Sequence, residues 1–369
     1  MAREAEAAAG APRHTAARRA CAFAARRFGA VAHAPAAPAV WFHSVWTNRV
    51  DEFAPQRTHP EALWVWAAAE APSNWDHSKN QSAGLLPPDP RLDALFNVSM
   101  TFQRNSDVLF SYGGCEPAPP RPHASAAAAA ARAHAKQVAA WFASKKRAVA
   151  WTVSHCWTAS RREEYVARLR ETTQVDVFGK CADLWGKLMG LGHKHHAALL
   201  EHDYKMYLAF ENRMCRDYIT EKFWVDALLN GAIPVVRGGQ SDADYAAVAP
   251  PGSYINADWF ADAAALGAYL TQVANNETLY ASYHAWRVTH RLLVDSKVNW
   301  AHSKAAETRA TCRLCTLLHE RAAGPQPPPR LRLNLTRYWS GADSCRAPTD
   351  VPAVNVLWAA DADPGNGQR

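Results

Sequence analysis

The densest run of reactive residue types lies between Tyr207 and Gly239. There the apolar stretch Tyr207-Leu-Ala-Phe210 gives way to Glu211-Asn-Arg-Met-Cys-Arg-Asp217, then to Tyr218-Ile-Thr-Glu-Lys222 and a second apolar run. A strand ending at Phe210 puts Glu211 to Asp217 in a loop at its carboxyl end, the edge at which open α/β sheets bind ligands. Thr220 is placed to cap the next helix, and Lys222 falls in its first turn beside backbone N–H groups that lack helical partners. A lysine there opposes the helix dipole unless it has an anion to hold, so the combination suits a pyrophosphate. An ordinary βαβ unit with solvated charges would use the same residue types. Asp242-Ala-Asp244 and Asp361-Ala-Asp363 could each ligate a divalent ion, but neither adjoins this loop and no metal site is expected. His193, His195, His196 and His202 lack matched cysteines or carboxylates and read as a solvated loop. Cys312-X-X-Cys315 is half of a zinc-ribbon pattern, and structural disulfides are the better use for both cysteines.

The elements that must hold this loop alternate. Ala148–Ser154, Val175–Phe178, Lys205–Phe210 and Ile233–Val236 read as strands, with helices over Arg161–Glu171, Thr220–Leu229 and Ala263–Asn275, a rhythm that argues a parallel sheet wound in the Rossmann manner. Upstream, Ala39–Val45, Ala62–Ala68 and Val98–Phe102 read as strands between proline-marked turns. The alanine-rich Ala124–Lys146 reads as a connecting helix. The chain thus divides into an irregular tail or incomplete N-terminus at 1–38, a sheet domain at 39–123, a helical linker at 124–147, a doubly wound α/β domain at 148–323 and an irregular tail at 324–369.

Composition excludes several classes. Of 369 residues 49% are hydrophobic and 20% charged, which rules out collagen-like, wholly disordered and coiled-coil chains. The net charge of +7 favours an anionic partner, yet no aromatic-basic motif accompanies it, so no nucleic acid is expected. No window of 18 uninterrupted apolar residues reads as a membrane span, and no signal peptide is readable at the start. Asn80, Asn97, Asn276 and Asn334 open glycosylation sequons, and the eight cysteines form an even count; both lean toward a secretory protein.

Four segments resemble one family. Phe210-Glu-Asn, Asp217-Tyr-Ile-Thr-Glu-Lys222 and Gly231-Ala-Ile-Pro-Val-Val236 are similar to the donor signature of the α1,3/α1,4-fucosyltransferases of glycosyltransferase family 10, which use GDP-fucose. Phe96 to Gly113 resembles the family's acceptor-domain motif, Val149 to His155 its donor-domain opening strand, and Trp64 to Pro72 the segment with its catalytic glutamate. The resemblance implies a GT-B architecture, two Rossmann-like domains facing across a cleft, with 39–123 on the acceptor side and 148–323 binding GDP-fucose. It places Glu70 as the general base that takes the proton of the attacking acceptor hydroxyl, with inversion at the sugar carbon. Arg162 and Lys222 become pyrophosphate contacts, with Arg161 competing for the first role, while Glu211, Asn212, Tyr218 and Glu221 line the donor. Two fixed cations imply that no cofactor or divalent metal is required.

The implied reaction moves L-fucose to a GlcNAc hydroxyl of a glycoprotein glycan. Cys156 and Gly179-Lys-Cys181 look more like members acting on the N-glycan core than like Lewis-type members. Fucosylation of a protein hydroxyl, or a non-catalytic GDP-sugar or glycan binder, are the alternatives. The resemblance implies a type II membrane protein of the Golgi lumen, although no anchor is readable here. Family members carry Glu-Ser-Pro where Glu70-Ala-Pro stands. Finally, Cys156 and Cys181 follow neighbouring strands of one βαβ unit, and parallel strands lie about 4.8 Å apart, so the two cysteines are expected to form a disulfide.

Overall fold

The computed structural model describes residues 39–43, 63–71, 74–76, 81–83, 90–93, 95–182, 193–294, 304–323, 334–339 and 344–351. Apolar runs buried on both faces build two parallel sheets. The first holds β1 (Ala39–His43), β2 (Leu63–Ala68), β3 (Val98–Thr101) and β4 (Val108–Leu109), side by side in chain order. In β2 Trp64 and Trp66 turn to one face and Val65 and Ala67 to the other, all buried. Such a strand needs cover on both sides. Val65 and Ala67 receive it from Ala310, Leu314 and Leu317 of the helix Lys304–Ala323. That helix belongs to the first sheet's packing and not, as sequence order implied, to the second domain.

The second sheet comprises β5 (Arg147–Thr152), β6 (Val175–Phe178), β7 (Tyr204–Phe210), β8 (Ile233–Arg237) and β9 (Ile255–Asn256), all parallel, in the order β9-β8-β7-β5-β6. Strand order reverses between β5 and β7. In doubly wound sheets the crevice beyond the carboxyl ends at such a reversal is the ligand site. The helix α1 (Ala124–Ser144) is less a free linker than part of this unit, since Val138, Trp141 and Phe142 pack into the core under the second sheet. Trp64, Trp66 and Phe102 of the first unit share one core with Tyr207, Tyr218, Phe223 and Trp224 of the second. Phe102, Arg104 and Tyr112 face Asp217, Ile219 and Trp224 across a crevice between the units. The architecture is GT-B.

Three sequence expectations change. The histidine cluster lies on a helix, His193–His202, and not on a loop; His196 is buried, its Nε2 2.7 Å from Thr152 Oγ1. The final stretch is ordered over 334–339 and 344–351, with a helix at Leu335–Tyr338 and a strand at Cys345–Arg346, because buried Leu335, Trp339 and Val351 give it apolar anchors that its polar composition concealed. Cys312 is a free, exposed thiol, whereas Cys315, one turn on, faces the core and is disulfide-bonded to a cysteine outside the described residues.

The expected bridge between Cys156 and Cys181 is present, with Cα atoms 5.4 Å apart. A second bridge, Cys215 to Cys345, spans 130 residues and was not foreseen. Closing a loop of that length removes unfolded-state entropy worth about 4–5 kcal/mol in the chain-entropy picture.

The sequons divide. Asn80 lies outside the described residues. Asn276 and Asn334 are exposed helix caps, their side-chain oxygens accepting from the N–H groups of Leu279 and Arg337. Asn97 is half-buried, and its Oδ1 accepts the backbone N–H of Trp64 at 3.2 Å while its own N–H donates to Trp64 O at 2.8 Å. This carboxamide is committed to joining β2 and β3. Asn97→Ala is therefore expected to lose about 1–3 kcal/mol through a lost partner in a desolvated place, read as a lower denaturant midpoint. An unchanged midpoint would remove that role.

Candidate functional site

The switch point between β5 and β7 is occupied by Arg162 and by the loop that follows Phe210. Arg162 opens the helix α2 (Arg162–Leu169) and is 3% exposed. Its Nη1 donates to Phe210 O at 2.7 Å and its guanidinium lies 5.9 Å from the Trp151 ring, while its buried Nε has no acceptor among the described residues. Burial lowers its pKa, against the pull of Glu211. Neighbouring Arg161 turns away: its Nε donates to Glu164 at 2.7 Å and its Nη1 to Val351 O at 3.2 Å. Of the two arginines, the one at the end of β7 is Arg162.

Glu211 is the hub of the loop. It is 2% exposed; Oε1 accepts from Thr220 N at 2.8 Å and Thr220 Oγ1 at 2.9 Å, and Oε2 from Lys222 Nζ at 3.1 Å. Burial pushes its carboxyl up, against the opposing pull of Lys222 and the Thr220 donors. Lys222 also donates to Thr220 Oγ1 at 2.7 Å and to Glu221 Oε1 at 3.1 Å. Burial disfavours the ammonium, but Glu211 and Glu221 more than offset it and hold its pKa above the ordinary value. Thr220 does not cap the helix as its position implied. Its hydroxyl turns back to Glu211, and Lys222–Leu229 winds as a π-helix, a form that recurs at functional sites. Asn212 Oδ1 is buried without an acceptor role among the described residues, so it does not brace the loop through that atom.

Glu70 reaches this loop from the other sheet. It is exposed just beyond β2, and its Oε2 accepts the Tyr218 hydroxyl at 2.7 Å. Tyr218 is buried against Phe102, with ring centroids 4.9 Å apart. Burial, then the Glu70 charge, hold its phenol protonated well above the usual range. Desolvation and then Arg162 lower the pKa of the His155 imidazole, against the opposing pull of Glu70.

Sequence reasoning left out several residues of the site. Tyr112 donates to Ala69 O at 2.7 Å and steadies the backbone before Glu70. Arg104 bridges Asp217 at 2.6 Å and Asp244, tying the first unit to the loop, where Asp217 sits at φ 64. Gly113 closes the first unit's motif where a Cβ would stand 2.4 Å from the Trp224 ring, so only glycine permits that approach. Half-buried Asp226 accepts from Tyr207 at 3.3 Å; desolvation and then Glu221 push its carboxyl up. Gly113 and Arg104 lie in or beside the Phe96–Gly113 motif, which was the available signal. Asp226 had none, because the Tyr207 hydroxyl it accepts comes from β7. Asp242 accepts from Trp259 Nε1 at 2.7 Å, and Asp244 closes a capping box with Ser241 besides pairing with Arg104; Asp361 and Asp363 lie outside the described residues.

Two cations beside the end of β7 can hold a diphosphate leaving group, and a carboxylate from the opposite sheet can serve as base on the far side of the reacting carbon. A family model described as "Glycosyltransferase family 10 (fucosyltransferase) C-term" matches residues 142–331, and "Fucosyltransferase, N-terminal" matches residues 10–113. Among similar proteins, the "Alpha-(1,3)-fucosyltransferase C" of Drosophila melanogaster is 32% identical over 78% of this chain and 62% of its own length. The "Alpha-(1,3)-fucosyltransferase 7" of Bos taurus is 37% identical over 62% of this chain and 56% of its own. The "Glycoprotein 3-alpha-L-fucosyltransferase A" of Drosophila melanogaster is 34% identical over 55% of this chain and 37% of its own. The chain thus spans between about a third and two thirds of these relatives' length. A crystal structure of alpha1,3-fucosyltransferase with GDP-fucose overlaps 77% of this chain and 94% of that one at 15% identity and a TM-score of 0.39.

Proposed function

The chain belongs to glycosyltransferase family 10, the fucosyltransferases, and on that premise we propose that it transfers L-fucose from GDP-fucose, with inversion, to a GlcNAc hydroxyl of a glycoprotein glycan in α1,3 linkage. The observation that carries this reading is the hydrogen bond from Tyr218 to Glu70, which sets a carboxylate of one sheet over the cation-bearing loop of the other. Glu70 takes the proton of the acceptor hydroxyl as it attacks the sugar from the face opposite GDP. Lys222 and Arg162 meet the pyrophosphate, whose charge grows as the bond to fucose breaks. Glu211 holds Lys222 in place, and Asn212 and Glu221 contact the donor. Because two fixed cations supply the charge stabilisation, no divalent metal is needed.

Among acceptors we favour the N-glycan core. The Cys156–Cys181 bridge beside Arg162 and the likeness to a glycoprotein fucosyltransferase support that choice over Lewis-type acceptors. The disulfides suit an oxidising compartment, and with the family resemblance they support the Golgi lumen. No described helix is long and apolar enough to cross a membrane.

GDP release assayed against a panel of glycan acceptors tests the proposal. Release should track fucosylation of core-type N-glycans and persist in EDTA. GDP-fucose binding with no transfer to any glycan would favour a non-catalytic binder, transfer to a peptide hydroxyl a protein fucosyltransferase. Loss in EDTA restored by Mn²⁺ would overturn the metal-independent mechanism.

A further inference from the structure

Residues 334–339 and 344–351 join the first sheet to the loop after β7 and to the second sheet. At one end Thr336 N donates to Asp93 at 2.7 Å, the Tyr338 hydroxyl stands 2.7 Å from Ser106 Oγ, and the Trp339 ring meets Trp66 edge-on at 4.7 Å. Trp339 also packs on Phe102 at 5.5 Å, the ring that supports Tyr218. In the middle, Ser344 O accepts Arg216 N at 2.8 Å, and Ser344 Oγ accepts Gln103 Nε2 at 3.2 Å. Cys345–Arg346 pairs antiparallel with Met214–Cys215, and the Cys215–Cys345 disulfide locks that pairing. At the far end both Asp350 oxygens accept from fully buried Arg237, which donates in turn to Ser160 O at 2.8 Å. Ser160 Oγ donates to Glu211 O at 2.6 Å.

A loop has no ladder of its own, and its polar backbone needs partners from elsewhere. Here the only strand paired with the loop after β7, among the described residues, is Cys345–Arg346, and Cys215, the partner of Cys345, stands three residues before Tyr218. Trp339 and Ser344 reach Phe102 and Gln103 of the first unit while Cys345 is bonded to the loop, so these residues tie together the two sides that Tyr218 and Glu70 bridge.

We infer that residues 334–339 and 344–351 act as a positioning strap of the reaction site: Cys345, Trp339 and Asp350 fix the loop after β7 so that Tyr218 carries Glu70 into line with the donor. This rests on Glu70 acting as the base. A displacement near 1 Å costs a reaction about 100-fold, far more than it costs the binding of a ligand held by other contacts. Cys215→Ser combined with Cys345→Ser keeps side-chain size and cuts the tether.

In the full chain this double variant should lower kcat by about 10- to 100-fold while GDP affinity, read by calorimetry, changes far less. Amide exchange should accelerate at residues 211–219 while β7 and β8 keep their protection. Tyr338→Phe keeps its ring and loses only the hydroxyl contacts; it should show the same pattern in smaller measure, and it keeps the test alive if the double variant does not fold. Unchanged loop exchange in either folded variant, or acceleration spread evenly over both sheets, overturns the strap. Exchange and calorimetry need no acceptor. A wild-type protein that transfers no fucose would therefore defeat the catalytic reading while leaving the strap to be judged by exchange alone.

Discussion

Glu70→Gln is expected to reduce kcat by about 100-fold or more and to leave GDP-fucose affinity nearly unchanged. The substitution keeps the shape of the side chain. Its amide oxygen can still accept the Tyr218 hydroxyl that Glu70 Oε2 accepts at 2.7 Å, so the contact between the sheets survives. What is lost is the capacity to take a proton from the acceptor hydroxyl as it attacks. Glu70 is exposed and projects from the first sheet, whereas Lys222, Glu211 and Arg162 all stand on the second, so donor binding should barely sense the change. An effect confined to kcat is the mark of an interaction made in the transition state and not in the ground state. Wild-type turnover in Glu70→Gln, or a loss that appears wholly as weaker GDP binding, would remove Glu70 from the role of base.

Much of the scaffold was legible because its signals are local. Val175–Phe178 and Ala263–Asn275 fall at the bounds read from the alternating strand and helix pattern, and a strand ending at Phe210 with a polar loop after it is what the structure shows. The Cys156–Cys181 bridge was legible too, since one βαβ unit brings its strand ends together wherever the rest of the chain goes. Features fixed by distant partners were not. Nothing near Cys215 marks a partner 130 residues away, and nothing in the proline-rich C-terminal composition marks Trp339 as a neighbour of Trp66. The helix Lys304–Ala323 was attributed to the second unit by chain order alone; its Leu314 and Leu317 show only that it buries a face, not which sheet receives it. Thr220 occupied a capping position by every local rule, and a buried carboxylate nine residues earlier outcompeted the helix for its hydroxyl. Around the site the same division holds. The residue types were visible in the loop, but the partition between Arg161 and Arg162 required the turn at φ 49 that sends Arg161 toward Glu164.

Lys222→Ala should lower kcat by about 10²–10³ and weaken GDP binding as well, a broader loss than that of the base. The ammonium stands 3.1 Å from both Glu211 Oε2 and Glu221 Oε1, with Asp226 on the same π-helix, so the region is rich in carboxylates and depends on this cation for balance. Without it the donor's pyrophosphate would face Glu211 and Glu221 directly, and the repulsion would grow with the charge that develops as fucose departs. Removing one partner of a buried pair also costs stability, by about 3–5 kcal/mol when the other charge is left uncompensated. Burial already pushes the Glu211 carboxyl up, so in the variant it can shed that cost by binding a proton, and Thr220 remains to hold it. The variant should therefore fold with a lowered midpoint, and its catalytic loss should persist when the assay is normalised to folded protein. Lys222→Arg, which restores charge but not the compact ammonium that fits between two carboxylates and Thr220, should recover GDP binding better than turnover. Calorimetry showing normal GDP affinity in folded Lys222→Ala, together with wild-type kcat, would exclude Lys222 from the donor site.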